Sequence, residues 1–230
     1  MAKVSSIEDN RTGRDKQMRI LIIGASKGTG ALAVKVALDR GHEVTAFARS
    51  PEKLELEHPK LTKVKGDFHN NEDVDRAVPG HDAVIVTASA GGISSFKEHP
   101  TYFSQGTKLV IRAMKASGVR RLIVLSAIGV GETKKISGWI AETFLYGMLF
   151  KLPYADHERQ EQDTRESGLE WVIARPARLT DGPATKTYIK RAGLERVPWS
   201  WAISRADVGD FLVEAAEVDK WVGKGVQLGG

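Results

Sequence analysis

The feature that most constrains this chain is the stretch RILIIGASKGTG, Arg19 to Gly30. A short apolar run (Ile20, Leu21, Ile22, Ile23) breaks into a loop with glycines at 24, 28 and 30. An Ala-rich segment follows, with apolar side chains at Leu32, Val34, Val36 and Leu38. Strand, glycine turn and helix in that order place a helix N-terminus where it can receive a dinucleotide pyrophosphate. Gly24 suits the tight turn, Gly28 lets backbone approach phosphate, and Gly30 lets the helix lie close on the strand. A glycine pattern alone is weak, since such turns also arise for structural reasons; the strand before it and the helix after it give it weight.

The end of the next strand bears on which nucleotide such a site prefers. Gly41 closes the helix, and the following residues read as a strand from Glu43 to Ala48 that ends in Arg49. An acid there would bind ribose 2′-hydroxyls, whereas arginine favours a 2′-phosphate, so the expected cofactor is NADP(H). A short helix opened by Pro51 would bring Lys53 to the same phosphate, and Lys27 adds charge within the loop. The competing reading of Arg49 is a solvated loop charge.

The alternation continues. Further strands are expected at 61–66, 83–86, 121–125, 171–174 and 226–228, and helices at 71–78, 104–117, 154–167 and 206–217. Buried strands written as near-continuous Val/Ile/Leu runs between helices predict an α/β fold with a Rossmann-type, doubly wound parallel sheet. A chain of 230 residues suffices for one such domain with its acceptor site built in. Met1 to Gln17 is polar, lacks the apolar core of a secretory signal and is read as a flexible tail, leaving residues 18–230 as the domain. Ligands of such sheets sit outside the carboxyl ends of the strands.

Composition narrows the partners. The net charge of +5 comes without a clustered basic stripe or interleaved aromatics, so no nucleic acid is expected. Zero cysteines exclude thiolate chemistry and fit a reducing cytoplasm, the expected location. No apolar run reaches the roughly 18 residues of a membrane span. No metal site is expected.

The ordered set GASKGTG, KGDF, AVIVTAS, MKASGVRRLIVLSA, SGLEWVIARPARLTDGP and ISRADVG resembles the atypical short-chain dehydrogenases/reductases. More narrowly, it is similar to the NAD(P)H-binding group of flavin/biliverdin-IXβ reductases and NmrA-like proteins, from Met18 almost to the end of the chain. One departure is the loop spacing, GxxxGxG here where NmrA-like relatives usually have GxxGxxG. The resemblance implies that Gly24, Ser26, Lys27, Gly28, Thr29 and Gly30 form the phosphate loop, and that Arg49 and Lys53 meet the 2′-phosphate. It puts Asp67 and Phe68 at the adenine. Thr87, Ala88, Ser89, Ser126 and Pro176 then lie near the nicotinamide and its ribose. Ser126 and His157 are the implied catalytic residues, with His157 and Arg178 facing the acceptor. Thr87, Ala88 and Ser126 also have plain readings as turn or strand-end residues.

The best-known members use Tyr-x-x-x-Lys, in which lysine lowers the tyrosine pKa for proton exchange with a carbonyl or alcohol. Here the tyrosines at 102, 146, 154 and 188 have Gly106, Phe150, Glu158 and Ala192 four residues on. The expected activity is therefore hydride transfer from NADPH to a conjugated acceptor such as a flavin or tetrapyrrole, which needs less from the protein. The alternative is an NmrA-like NADP(H)-binding sensor or assembly protein with little turnover. His157 is read as a local acid or ring-stacking partner, its charged form favoured if Asp156 and Glu158 approach, or else as a surface residue. The apolar stretch Gly138 to Pro153 is read as a helix packed on the core or on a second subunit of a homodimer, or as a lid over the acceptor. Trp199 and Trp201 are read as core filling, with flavin stacking as the sharper alternative.

Overall fold

The computed structural model describes residues 17–90, 95–136, 151–193, 198 and 200–230. Its strands are β1 (Arg19–Ile23), β2 (Glu43–Ala48), β3 (Leu61–Lys65), β4 (Ala83–Val86), β5 (Arg121–Leu125), β6 (Glu170–Pro176), β7 (Arg178–Thr180), β8 (Ile189–Arg191), β9 (Ala202–Ser204) and β10 (Lys224–Gly229). The helices are α1 (Gly28–Asp39), α2 (Asn71–Ala77), α3 (Ser95–Glu98), α4 (Tyr102–Ser117), α5 (Lys151–Arg165) and α6 (Arg205–Glu217). The main sheet runs β3-β2-β1-β4-β5-β6-β10-β8. The chain steps outward from β1 to β3, then returns to β4 on the other side of β1. That reversal opens a crevice at the carboxyl ends of β1 and β4.

Burial on both faces explains the uninterrupted apolar strands. Successive residues point to opposite sides, so Ile20 and Ile22 pack with Ala33, Ala37 and Phe211 beneath α1 and α6. Leu21 and Ile23 join Val74, Val110 and Met114 beneath α2 and α4. At the outer border, β3 places Lys63 and Lys65 on the strand edge, and Lys63 Nζ pairs with Glu57 at 2.6 Å.

Capping fixes the helices. Gly118 ends α4 in the left-handed region at φ +75°, its N–H on the Met114 carbonyl. At the other end Thr101 supplies no side-chain cap. Buried Asp156 of α5 does so instead, accepting from Phe103 N at 2.6 Å and from the Ser104 hydroxyl at 2.6 Å. A carboxylate on a helix N-terminus is stabilising, and this one ties α4 to α5. Arg121, at the start of β5, donates to the Ala215, Ala216 and Val218 carbonyls at 3.2–3.4 Å, closing the end of α6. It also pairs with Glu170 and Asp219.

Several boundaries differ from the sequence reading. β6 extends to Pro176, which pairs with Leu228 at the end of β10. α5 starts at Lys151 with Pro153 in its first turn, where a missing N–H costs nothing. The sheet is not wholly parallel, since β8 joins β10 antiparallel. A second, two-stranded sheet of β7 and β9 was not expected. These three short strands carry three residues each, too few for a periodic pattern. Most of the apolar stretch 138–153, and Trp199, lie outside the described residues. Trp201 packs against Gly229, with Arg191 5.3 Å over its ring. No helix among the described residues is long and apolar enough to cross a membrane.

Candidate functional site

A cleft of about 730 Å³ opens along the carboxyl ends of β1, β2, β4 and β5. Gly24, Ser26, Lys27, Gly28, Thr29, Arg49, Lys53, Asp67, Phe68, Thr87, Ala88, Ser89, Ser126 and His157 all line it. Three residues singled out by sequence do not. Gly30 lies beneath the loop, where a Cβ would run into the Gly24 carbonyl and the Thr87 hydroxyl. Pro176 is locked in the sheet. Arg178 is exposed, and the alternation of its strand turns the neighbouring Leu179 toward the cleft instead.

The loop is shaped for an anion. Gly24 sits at φ +86° with its Cβ side against Ala88, where an added atom would come 2.7 Å from the Ala88 N. Gly28, at φ +58°, faces open space. Lys27 precedes α1 in extended conformation without a side-chain cap, and the first turn carries no acid. The leading N–H groups of α1 are thus left to a ligand. Arg49 and Lys53 stand on the far rim, Lys53 closing a 3₁₀ turn (Pro51–Lys53) as the sequence suggests. Phe68 is buried against Gly106 and meets Tyr102 with ring centroids 6.1 Å apart. One Asp67 oxygen accepts from His69 N at 2.9 Å, and the Thr87 hydroxyl is committed to the Ile23 carbonyl at 2.8 Å.

At the other end the Ser126 hydroxyl lies 2.7 Å from Glu161 Oε1. Arg175, fully buried in β6, holds the same carboxylate through Nε at 2.9 Å and Nη2 at 2.6 Å, and reaches Glu132 at 3.1 Å. Burial works against the Arg175 charge, but its bonds to Glu161 and the charges of Glu161 and Glu132 outweigh that and raise its pKa. A carboxylate so paired only accepts, so Ser126 spends its single proton on Glu161 and turns lone pairs to the cleft.

His157 stacks on Phe103 with centroids 4.0 Å apart and planes 14° from parallel. Its Nδ1 meets Gln160 Oε1 at 2.8 Å, while the Gln160 amide nitrogen donates to Thr107. Nδ1 therefore carries a proton. Burial lowers the His157 pKa, outweighing the Gln160 bond and the opposing charges of Asp156 and Glu161. This corrects the expectation of a charge-favoured imidazole: the Asp156 carboxylate is taken up in capping α4, Glu158 is exposed, and desolvation wins.

Residues 24–219 match the model of a family described as NAD(P)H-binding. The chain belongs to the NAD(P)H-binding family. Among curated relatives, it is 40% identical over 120 residues to a 3-beta-hydroxysteroid dehydrogenase from Mycolicibacterium neoaurum, covering 49% of this chain and 32% of that protein. It is 32% identical over 181 residues to a 2-alkyl-3-oxoalkanoate reductase from Stenotrophomonas maltophilia, covering 76% of this chain and 54% of that one. The chain thus matches a third to a half of these relatives' length. A short-chain dehydrogenase/reductase from Veillonella parvula, solved in complex with NADP, superposes with a TM-score of 0.73 at 20% identity, covering 94% of this chain and 95% of that one. That likeness is one of fold.

For a member of the NAD(P)H-binding family, the donor set fits the nucleotide: free N–H groups on α1, an open Gly28, and cations on the far rim. Among the described residues, no group of three His, Asp or Glu side chains could hold a metal. Tyr154, half-buried on α5, does not line the cleft, whereas Tyr102 does. Burial raises the Tyr102 pKa; Arg49 opposes this and Asp67 adds to it, so the phenol stays protonated. Sequence reasoning also missed Phe103, Leu179, Asp181 and Arg205, which line the cleft. Arg205 lies within the motif ISRADVG, but nothing in its spacing marks it as a cleft residue.

Proposed function

We propose that this protein is an NADPH-dependent reductase whose acceptor is a planar conjugated molecule, a flavin or a tetrapyrrole. The observation that carries the reading is the acceptor end of the cleft. Ser126 has no proton to give a carbonyl oxygen, the Tyr102 phenol stands apart from it beside Phe68 and His69, and the neutral His157 forms a flat, mostly apolar floor with Phe103. Reducing a ketone requires a positioned acid at the oxygen; a conjugated ring spreads the added charge and takes its proton from solvent. The dehydrogenase and reductase names of two relatives support redox chemistry as the class.

In this reading, the N–H groups at Gly28 and Thr29 bind the pyrophosphate, Arg49 and Lys53 hold the 2′-phosphate, and Phe68 covers the adenine. The bound cofactor supplies the hydride. Ser126 accepts a hydrogen bond from an N–H or O–H at the reacting end, and the Phe103–His157 stack orients the acceptor plane.

The test is NADPH oxidation with FMN, a quinone and biliverdin beside a 3-oxo ester, using wild type and Tyr154→Phe. The expected result is turnover of one or more conjugated acceptors at least about tenfold above the 3-oxo ester, unchanged by Tyr154→Phe. Efficient reduction of the 3-oxo ester would overturn the reading, with or without a loss in Tyr154→Phe. Tight NADPH binding with no turnover of any acceptor would also overturn it, in favour of a nucleotide sensor.

A further inference from the structure

Arg205, the first residue of α6, lines the cleft although nothing in its sequence spacing gives it a role there. α1 and α6 lie side by side and run the same way. A Cβ on Gly209 would come 3.0 Å from Ala33 N. Further along, Arg40 and His42 both meet Glu217, at 2.6 and 2.9 Å. One turn back from the Gly209–Ala33 contact stand Arg205 and Thr29, so the guanidinium lies level with the phosphate-facing end of α1.

Its current partner is weakly placed. Arg205 Nη1 meets Asp181 Oδ1 at 2.6 Å, but the Asp181 side chain is 91% exposed and that of Arg205 is 31% exposed. Ion pairs so open to water contribute little. The other acid nearby cannot compete: buried Asp207 accepts from the Ser204 hydroxyl at 2.9 Å and from Thr185 N and Lys186 N at 2.8–3.1 Å. A phosphate offers guanidinium more charge and a bidentate geometry.

We propose that Arg205 is a ligand of the dinucleotide pyrophosphate, held ready by Asp181, which releases it when the nucleotide enters. This rests on the family's nucleotide binding and not on the identity of the acceptor. Because the pyrophosphate is common to both nicotinamide dinucleotides, Arg205 serves NADPH and NADH alike, whereas Arg49 distinguishes them.

The experiment titrates NADPH and NADH into wild type, Arg205→Ala, Asp181→Asn and Arg49→Ala by calorimetry, with the melting temperature of each variant recorded. Arg205→Ala is expected to weaken both nucleotides by about tenfold or more. Asp181→Asn is expected to tighten both, because it removes the competing carboxylate; a merely structural ion pair would not act in that direction. Arg49→Ala should weaken NADPH alone. The proposal is overturned if Arg205→Ala leaves both affinities within about twofold of wild type, weakens NADPH only, or changes only the KM of an acceptor. It is overturned equally if Asp181→Asn binds no tighter. Failure of the reductase reading would appear in turnover and leave these titrations untouched.

Discussion

The imidazole of His157 has acids on both sides in sequence, yet the fold removes one to a helix cap and leaves the other in solvent. What remains is a half-buried ring, stacked on Phe103, whose charged form is disfavoured by desolvation. The consequence for stability has a definite sign. The folded pKa lies below the ordinary value near 6.5, so the unfolded chain binds more protons in that window. The contribution is complete above the ordinary value and is lost as pH falls toward the depressed one. His157→Phe, which keeps a ring against Phe103, should therefore lose less melting temperature than wild type between about pH 7.5 and 5.5. Equal losses in the two proteins would contradict this. The glycine loop and Arg49 were legible in sequence because their spacing is local. The bond from Ser126 to Glu161 was not, since 35 residues separate them and only the packing of α5 beside β5 and β6 joins them.

Among elements, the strands buried on both faces were readable to within a residue or two, because continuous apolar runs admit few alternatives. β7, β8 and β9 were not, because three residues carry no period and their pairing depends on distant partners. The same holds for the seat of Phe68, set by the absence of a side chain at Gly106 of α4. A Cβ there would overlap the Phe68 ring. Gly106→Ala gains helix propensity but must push Phe68 into the cleft, and overpacking of this kind costs about 1–3 kcal/mol. The expected outcome is a lower urea midpoint together with weaker NADPH binding. A variant as stable as wild type with unchanged affinity would show that Phe68 moves freely.

Across the whole molecule, one guanidinium joins elements far apart in sequence. Arg121 satisfies the last carbonyls of α6, pairs with Glu170 at the start of β6, and stands at the end of the sheet opposite the cleft. Arg121→Met would leave those carbonyls without their donor, a loss of about 2–3 kcal/mol in global stability. NADPH affinity should stay unchanged, because the cleft lies at the far ends of the strands. An affinity loss as large as the stability loss would mean that the two ends of the sheet are coupled. Strand-helix alternation, with its right-handed crossovers, made the architecture legible. The antiparallel border strand β8 was not, since it arrives after a long excursion through β7 and the cleft rim.

The open sheet ends at β3 on one side. An outermost strand offers a row of unsatisfied amides and carbonyls that another chain can zip onto. At β3, the alternating lysines oppose that fate. An incoming strand would have to strip water from the Lys65 ammonium group and disturb the Lys63–Glu57 pair before its first ladder bond could form. The border is thereby made a poor seed for fibrillar growth while the sheet stays open.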